Sequence, residues 1–377
     1  MNTNLNITYI DFGPAYGQNS NSGIERKKLA QINELSKLGD VKRLTYSPKG
    51  KRGVFKEATR MLPFAPSMFF FKYCPEKLDG VDIVYYRKAY IDRYAIKLLR
   101  EIKRRNPKCI ILFEIPTYPY DKEKSGFLRY PLLLKDRWNR KKLHHYVDRI
   151  VLVAAIDPIV FNVSTITISN GIDFSRTALR IVSKEEDGKV HGIVVGNFEF
   201  WHGLDRLIKG LEKYYATKPE RIFVLHIVGP TENAIKRDKG MEELVSKGYL
   251  IFHGPLPFDE LEKVYDSVSL AFESFGLHRR TQGQINSSVK SREYGAKGLP
   301  IVSASKIDYI PENFPYFMKV DEDESYIDIK SVIQFHDKVY GEDYERVALR
   351  IREFANDHCS SESMMRPVLD YCYENSQ

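Results

Sequence analysis

One grammar is written twice along this chain: a short run of β-branched and aromatic residues, a polar loop containing glycine, and a stretch of helical period. In the first half, Ile7 to Phe12 reads as a buried strand that enters the loop Gly13 to Gly23 and then a helical stretch ending near Gly39. Strands are predicted at Val41–Tyr46, Val81–Tyr86, Cys109–Phe113, Arg149–Val153 and Thr165–Ile168, with a helix through Ile91, Ala95, Leu98, Leu99 and Ile102. The pattern restarts with strands at Gly192–Val195, Ile222–Val228, Leu250–His253, Leu270–Phe272 and Pro300–Val302, and with a helix at Asp205–Tyr215. Parallel strands need a crossover between them, usually a helix, so this alternation predicts α/β domains with parallel sheets.

A chain of 377 residues exceeds what one core usually organises. We therefore expect an N-terminal Rossmann-like domain over residues 1–178, a second over 179–358, and a C-terminal helix over 359–377 crossing back to the first. The polar stretch Lys184 to Gly188 marks the boundary. Ligand loops of such sheets lie at the carboxyl ends of strands, and two domains facing each other are expected to enclose a cleft.

Several classes are set aside by composition. No run of 18 uncharged apolar residues is present, and the opening MNTNLNITYIDFG lacks the basic and apolar regions of a secretory signal. The expected location is cytoplasmic. Cys74, Cys109, Cys359 and Cys372 have no paired spacing, which predicts ordinary thiols and no metal site. A net charge of +8 favours an anionic partner, and without a nucleic-acid-binding motif the expectation is a phosphorylated substrate or an anionic membrane surface.

Three segments carry a more specific signal. Gly196-Asn197-Phe198-Glu199-Phe200-Trp201-His202-Gly203-Leu204-Asp205 follows the first strand of the second half, Asn170-Gly171-Ile172-Asp173 precedes that half, and Ser291-Arg292-Glu293-Tyr294-Gly295-Ala296-Lys297-Gly298-Leu299-Pro300 leads into its last predicted strand. Together they resemble glycosyltransferase family 4, whose corresponding patterns are VGRxxxxKGxDxLI, NGVD and EAMAxGxPVV. The version in capsule and surface-polysaccharide transferases is also similar to Gly276-Leu277-His278-Arg279 and Ser288-Val289-Lys290-Ser291-Arg292-Glu293-Tyr294.

The resemblance implies a GT-B fold and a retaining transfer of sugar from a nucleoside-diphosphate donor, without a bound metal or other cofactor. It places Glu293 as the second carboxylate of an E-x7-E pair, accepting hydrogen bonds from the donor ribose. Asn197 and His202 stand where the family has Arg and Lys on the diphosphate, and Ile285 stands where the first carboxylate belongs. Glu273, in Phe272-Glu273-Ser274-Phe275-Gly276, is the candidate replacement.

The residues themselves supply further candidates. Asn286, Ser287 and Ser288 are N-cap types ahead of the helix carrying Glu293, so its free amides would face a phosphate. Lys290 in its first turn is poorly placed for helix stability and well placed for an anion, and Arg279 and Arg280 are expected beside it. Gly196 and Arg292 complete the expected donor side. In the first half, Gly17 and Gly23 would let loop amides approach the ligand, and Glu114 would stabilise positive charge on the sugar or orient the acceptor. Basic and aromatic residues interleave over Lys49–Lys77, and cations recur at Arg129, Lys135, Arg137, Arg140, Lys141 and Lys142. That pattern predicts a peripheral membrane contact, with a polyprenyl-diphosphate-linked glycan or polysaccharide as acceptor. The alternative is a GT-B protein that binds sugar or nucleotide without turnover.

Overall fold

A computed structural model describes residues 5–13, 23–46, 59–62, 64, 65, 67, 78–121, 130–181, 188–232, 235–279, 286–341 and 343–376. Gly17, Arg280, Ile285, Arg129, Cys74 and most of Lys49–Lys77 lie outside the described residues. The chain divides into two compact units, one of residues 1–170 with 361–377, the other of residues 171–360.

The first unit holds strands β1 (Leu5–Phe12), β2 (Gly39–Tyr46), β3 (Ile83–Arg87), β4 (Ile110–Ile115), β5 (Arg149–Val153), β6 (Ile159–Val160) and β7 (Val163–Ile168) in the order β2-β1-β3-β4-β5-β7-β6. All neighbours are parallel except the short β6, which runs antiparallel to β7. Every residue of β4 is buried, as expected of a strand covered on both faces. Strand alternation sends Ile10, Tyr86 and Phe113 into one core and Tyr9, Tyr85 and Leu112 into the other.

Helix α1 (Gly23–Leu35) follows β1, and α2 (Arg93–Arg105) follows β3. The Asp92 carboxylate caps α2 by accepting from the amides of Tyr94 and Ala95, and Lys103, Arg104 and Arg105 close it with charges that suit its carboxyl end. Helix α3 (Tyr130–Arg140) precedes β5. Helix α10 (Ser361–Asn375) returns to this unit and adds Met365, Val368 and Cys372 to the core that holds Tyr9.

The second unit is a six-stranded parallel sheet of β8 (Val190–Val195), β9 (Phe223–Val228), β10 (Leu250–Gly254), β11 (Leu270–Phe272), β12 (Ile301–Ser303) and β13 (Phe317–Lys319). Their order is β10-β9-β8-β11-β12-β13. The chain therefore starts in the middle, builds outward on one side, and then reverses to the other. The reversal lies between β8 and β11, and a doubly wound sheet opens a crevice beyond the carboxyl ends of such a pair. Helices α4 (Leu204–Ala216), α5 (Lys239–Ser246), α6 (Phe258–Asp266), α7 (Val289–Ala296), α8 (Ile329–Val339) and α9 (Tyr344–Cys359) complete the unit. Gly298 ends α7 with φ +71°, and a Cβ there would stand 2.5 Å from the Ala348 carbonyl oxygen on α9, so only glycine fits without displacement. No helix of the described residues is long and apolar enough to cross a membrane.

Three neighbouring strands also align a row of imidazoles. His191 Nδ1 lies 2.9 Å from His226 Nε2, and His226 Nδ1 lies 3.0 Å from His253 Nε2. Burial pushes the His226 ring down to about 3 and lowers His253 as well, so those two rings are neutral at pH 7. An unfolded histidine takes up its proton near pH 6.5, whereas folded His226 resists until about pH 3. The unfolded state thus binds more protons across that window, and stability is lost as pH falls through it. Melting temperature is expected to drop between pH 7 and pH 5, and His226→Gln, which keeps a donor and an acceptor without titrating, should flatten that drop. An identical pH dependence in the variant would remove His226 from the account.

Candidate functional site

The crevice of the second unit is built from the loops that leave β8 and β11. After β8, Gly196 and the exposed Asn197 lead to the buried Phe198 and a 3-10 turn at Phe200–His202. The Glu199 amide donates to His202 Nδ1 at 2.9 Å, so the neutral ring carries its proton on Nε2 as a donor. Gly203 follows with φ +69°, and a Cβ there would stand 2.6 Å from the Gly276 nitrogen. That close approach brings the two loops together, and the Phe275 amide donates to the His202 carbonyl at 2.9 Å. The buried Arg206 reinforces the join by donating to the carbonyls of Phe275, Ser325 and Asp321 and to the Asp323 carboxylate.

Glu273 is the first residue beyond β11, and its carboxylate is fully buried. Oε2 accepts from Asn286 Nδ2 at 2.7 Å and from the Ser274 amide at 2.8 Å, while Oε1 accepts from the Ser288 hydroxyl. Ser288 in turn caps α7, its Oγ accepting from the Ser291 amide. Burial raises the cost of ionising Glu273, yet the Lys290 ammonium and the bonds from Ser288 and Asn286 outweigh it and hold the carboxyl below its ordinary value. His202 also lowers it, which puts that ring within electrostatic reach.

Lys290, the second residue of α7, places Nζ 3.5 Å from Glu273 Oε2. That nitrogen is buried and has no hydrogen-bond partner among the described residues. An ammonium with three donors is thus held by charge alone at a helix amino end, where the first-turn amides have no partner within the helix. Glu293 lies further along α7 and is buried, and the next residue, Tyr294, accepts from the Val195 amide at 2.9 Å, tying α7 to the end of β8.

The two arginines occupy different surroundings. Arg292 is completely buried, donates to Asp308, Ser287 Oγ, Ser291 Oγ and the Ser288 carbonyl, and lies over the Tyr309 ring. It secures the capping segment from behind. Arg279 forms a two-bond pair with Asp205 at 2.8 Å for each contact and also binds Glu324, so its guanidinium is engaged by carboxylates.

The first unit carries its own acidic centre at the carboxyl ends of β1 and β4. Glu114 is fully buried; Oε1 accepts from Arg87 at 2.6 Å with Lys27 at 3.6 Å, and Oε2 accepts from Gln31 and from the Tyr85 hydroxyl, each at 3.0 Å. Burial opposes its ionisation, and Arg87, Lys27 and the two hydrogen bonds overcome that and lower its pKa. Where the sequence reading has Glu114 act directly on a sugar or acceptor, the structure engages both of its oxygens internally. Asp11 at the end of β1 is likewise buried, with Arg43 at 2.6 Å and Lys28 at 2.8 Å. Gly23 begins α1. The sequence also counts Lys135 among the surface cations, but it is buried, donating to the carbonyls of Arg60 and Ala65.

No protein-family model matches the chain, and no curated protein matches it in sequence. Solved structures match it along nearly its full length. A glycosyltransferase from Rickettsia africae is 14% identical, with 98% of each chain covered and a TM-score of 0.62. HepE of Anabaena, solved in complex with UDP, is 11% identical, covering 98% of this chain and 100% of that one with a TM-score of 0.57. The fold is GT-B. The N-terminal domain of Candida albicans trehalose-6-phosphate phosphatase, 11% identical over 99% of this chain and 97% of that one, has a TM-score of 0.60. At such identities the likeness concerns fold alone.

Within this GT-B chain, Gly196, Asn197, His202, Glu273, Lys290 and Glu293 all belong to the loops and helix at the β8–β11 reversal. Asn286 and Ser288 bind Glu273 directly, a role their N-cap pattern does not disclose. Arg87, Lys27, Lys28, Gln31 and Asp11 escaped sequence reading because each is an ordinary residue until the sheet order sets β1, β3 and β4 side by side. Among the described residues no cluster of His, Cys, Asp or Glu could hold a metal.

Removing one member of the Glu273–Lys290 pair strands the other in a buried setting. Glu273→Ala should cost about 3–5 kcal/mol of stability. Lys290→Met added to it should recover part of that loss, giving a coupling of about 0.5–3 kcal/mol in denaturant titrations. Additive effects of the two substitutions would show that the charges do not depend on each other.

Proposed function

We propose that the protein is a glycosyltransferase that binds a nucleoside-diphosphate sugar in its second unit and moves the sugar, with retention of configuration, to a polysaccharide or polyprenyl-diphosphate-linked glycan. The observation that carries this reading is the buried Lys290 ammonium, without a hydrogen-bond partner among the described residues, at the amino end of α7. A leaving diphosphate gains negative charge as the glycosidic bond breaks, and preorganised donors there lower the barrier. The Lys290 ammonium and the Val289 and Lys290 amides, which precede the capped Ser291 amide, are such donors, and His202 Nε2–H adds to them. Glu273 keeps Lys290 in place and fixes the cap, and Glu293 accepts hydrogen bonds from the nucleoside ribose.

The GT-B fold and the motif resemblance support the same reading, and the UDP bound by HepE makes UDP the first nucleotide to test. In the first unit, Glu114 acts as a positioning residue through Arg87 and Lys27, and the acceptor is taken up on that unit. Domain limits near residue 178 and residue 358 belong to this proposal, as does a cytoplasmic location at the inner face of a membrane.

Melting in the presence of UDP, GDP, CDP, ADP and dTDP tests binding, since a ligand of the native state alone adds about 2.7 kcal/mol at a hundredfold excess over Kd. One diphosphate should raise the melting temperature, and Lys290→Ala should abolish the shift. With the matching labelled donor, Lys290→Ala should also lower turnover about 10²- to 10³-fold. A folded protein that melts alike with every diphosphate would sink the proposal, and diphosphate binding without transfer would favour the binding-only alternative, to which the exposed Asn197 in place of a family cation lends weight.

A further inference from the structure

Helix α3 is inside out. The residues it buries are Leu132, Leu133, Lys135, Asp136 and Asn139, three of them polar. Those three have interior partners: Lys135 donates to the carbonyls of Arg60 at 2.7 Å and Ala65 at 3.0 Å, Asp136 accepts from the Tyr120 hydroxyl at 2.6 Å, and Asn139 donates to the Lys135 carbonyl at 2.8 Å. Its outer face carries Tyr130, Leu134 and Trp138, spaced by four residues on one side and exposed by 52%, 47% and 71%. The segment whose carbonyls Lys135 grips adds Leu62 and Phe64, exposed by 57% and 76%. A buried lysine thus ties together two stretches that display large apolar side chains.

Removing large apolar side chains from water is favourable, so a helix that buries its charges and exposes its tryptophan has a second apolar phase to meet. The charges beside this face indicate which phase. Arg137 shares the outer side of α3, and Lys141 and Lys142 are exposed in the turn that follows. Asp121 is already paired with Arg137 and Arg140. A second copy of the chain across a two-fold axis would set these cations against each other. Aromatic and aliphatic side chains beside cations match the boundary between acyl chains and anionic headgroups.

We propose that α3, with Leu62 and Phe64, is a docking surface for an anionic lipid bilayer: Trp138, Leu134, Tyr130, Leu62 and Phe64 enter the interfacial layer while Lys141 and Lys142 meet lipid phosphates. The surface deepens the membrane part of the function proposed above and is read without donor or acceptor. Flotation of the full chain with phosphatidylcholine vesicles, with and without phosphatidylglycerol, tests it. The chain should float with the anionic vesicles and stay in solution with the neutral ones. Leu134→Gln/Trp138→Gln should reduce flotation at least about tenfold, and Lys141→Ala/Lys142→Ala by about an order of magnitude. Both variants change exposed residues and should melt as the wild type does, with any diphosphate shift unchanged, which separates loss of docking from loss of the donor site. Flotation unaffected by Leu134→Gln/Trp138→Gln, or a wild type that floats with neither vesicle, overturns the proposal. A wild-type dimer that this variant dissolves, in a chain that binds no vesicle, assigns the face to a second copy and overturns it equally.

Discussion

The site of the second unit depends on one buried carboxylate. Glu273 stands at the end of a three-residue strand and gathers Ser288, Asn286 and Lys290 from a segment that begins thirteen residues later in the chain. Ionising such a group in the interior is unfavourable by itself, and it is sustained here because each donor around it also serves the fold. Ser288 caps α7, Asn286 exchanges backbone bonds with Lys306 and Asp308, and Lys290 has its charge balanced. Without the carboxylate, the cap, the loop and the cation would each lose their reference point. The same arrangement leaves the Lys290 hydrogens unused by described residues, which is what a site for an anion requires.

The first unit applies a related principle with another balance. Glu114 and Asp11 are surrounded by Lys27, Lys28, Arg43 and Arg87, and the hydroxyl of Tyr85 completes the shell around Glu114. Tyr9 stacks on Tyr85 with ring centres 5.3 Å apart and donates to Gln31, so the acid is wedged between rings and amide. Four cations thus face two buried carboxylates in the first unit, whereas in the second a single ammonium faces Glu273 and keeps its hydrogens unused by described residues.

Much of the architecture can be read directly from residue patterns. Arg149–Val153 and Leu270–Phe272 form strands with the limits the apolar runs predict, since strands buried on both faces need continuous apolar residues. Helix α3 has no such signature, because it buries Lys135, Asp136 and Asn139 beside two leucines and exposes Leu134 and Trp138, so its apolar residues do not repeat along one face. Strand β13 (Phe317–Lys319) buries only its first residue, so it lacks the continuous apolar run that marks the equally short β11. The site is legible only in part. The capping pattern Asn286-Ser287-Ser288 announces a helix start, but that its side chains close on Glu273 follows from β11 and α7 meeting at the reversal of the sheet, a relation of topology that spacing does not encode. For the same reason Arg292 reads as one more cation in sequence and proves to be a buried brace.

The most direct measurement is a crystal structure of the protein with the nucleoside diphosphate that it binds. The account predicts the terminal phosphate within hydrogen-bond distance of Lys290 Nζ and of the Val289 and Lys290 amides, with the Glu273–Ser288–Asn286 cluster undisturbed. A diphosphate seated elsewhere, with Lys290 still facing only Glu273, would contradict it.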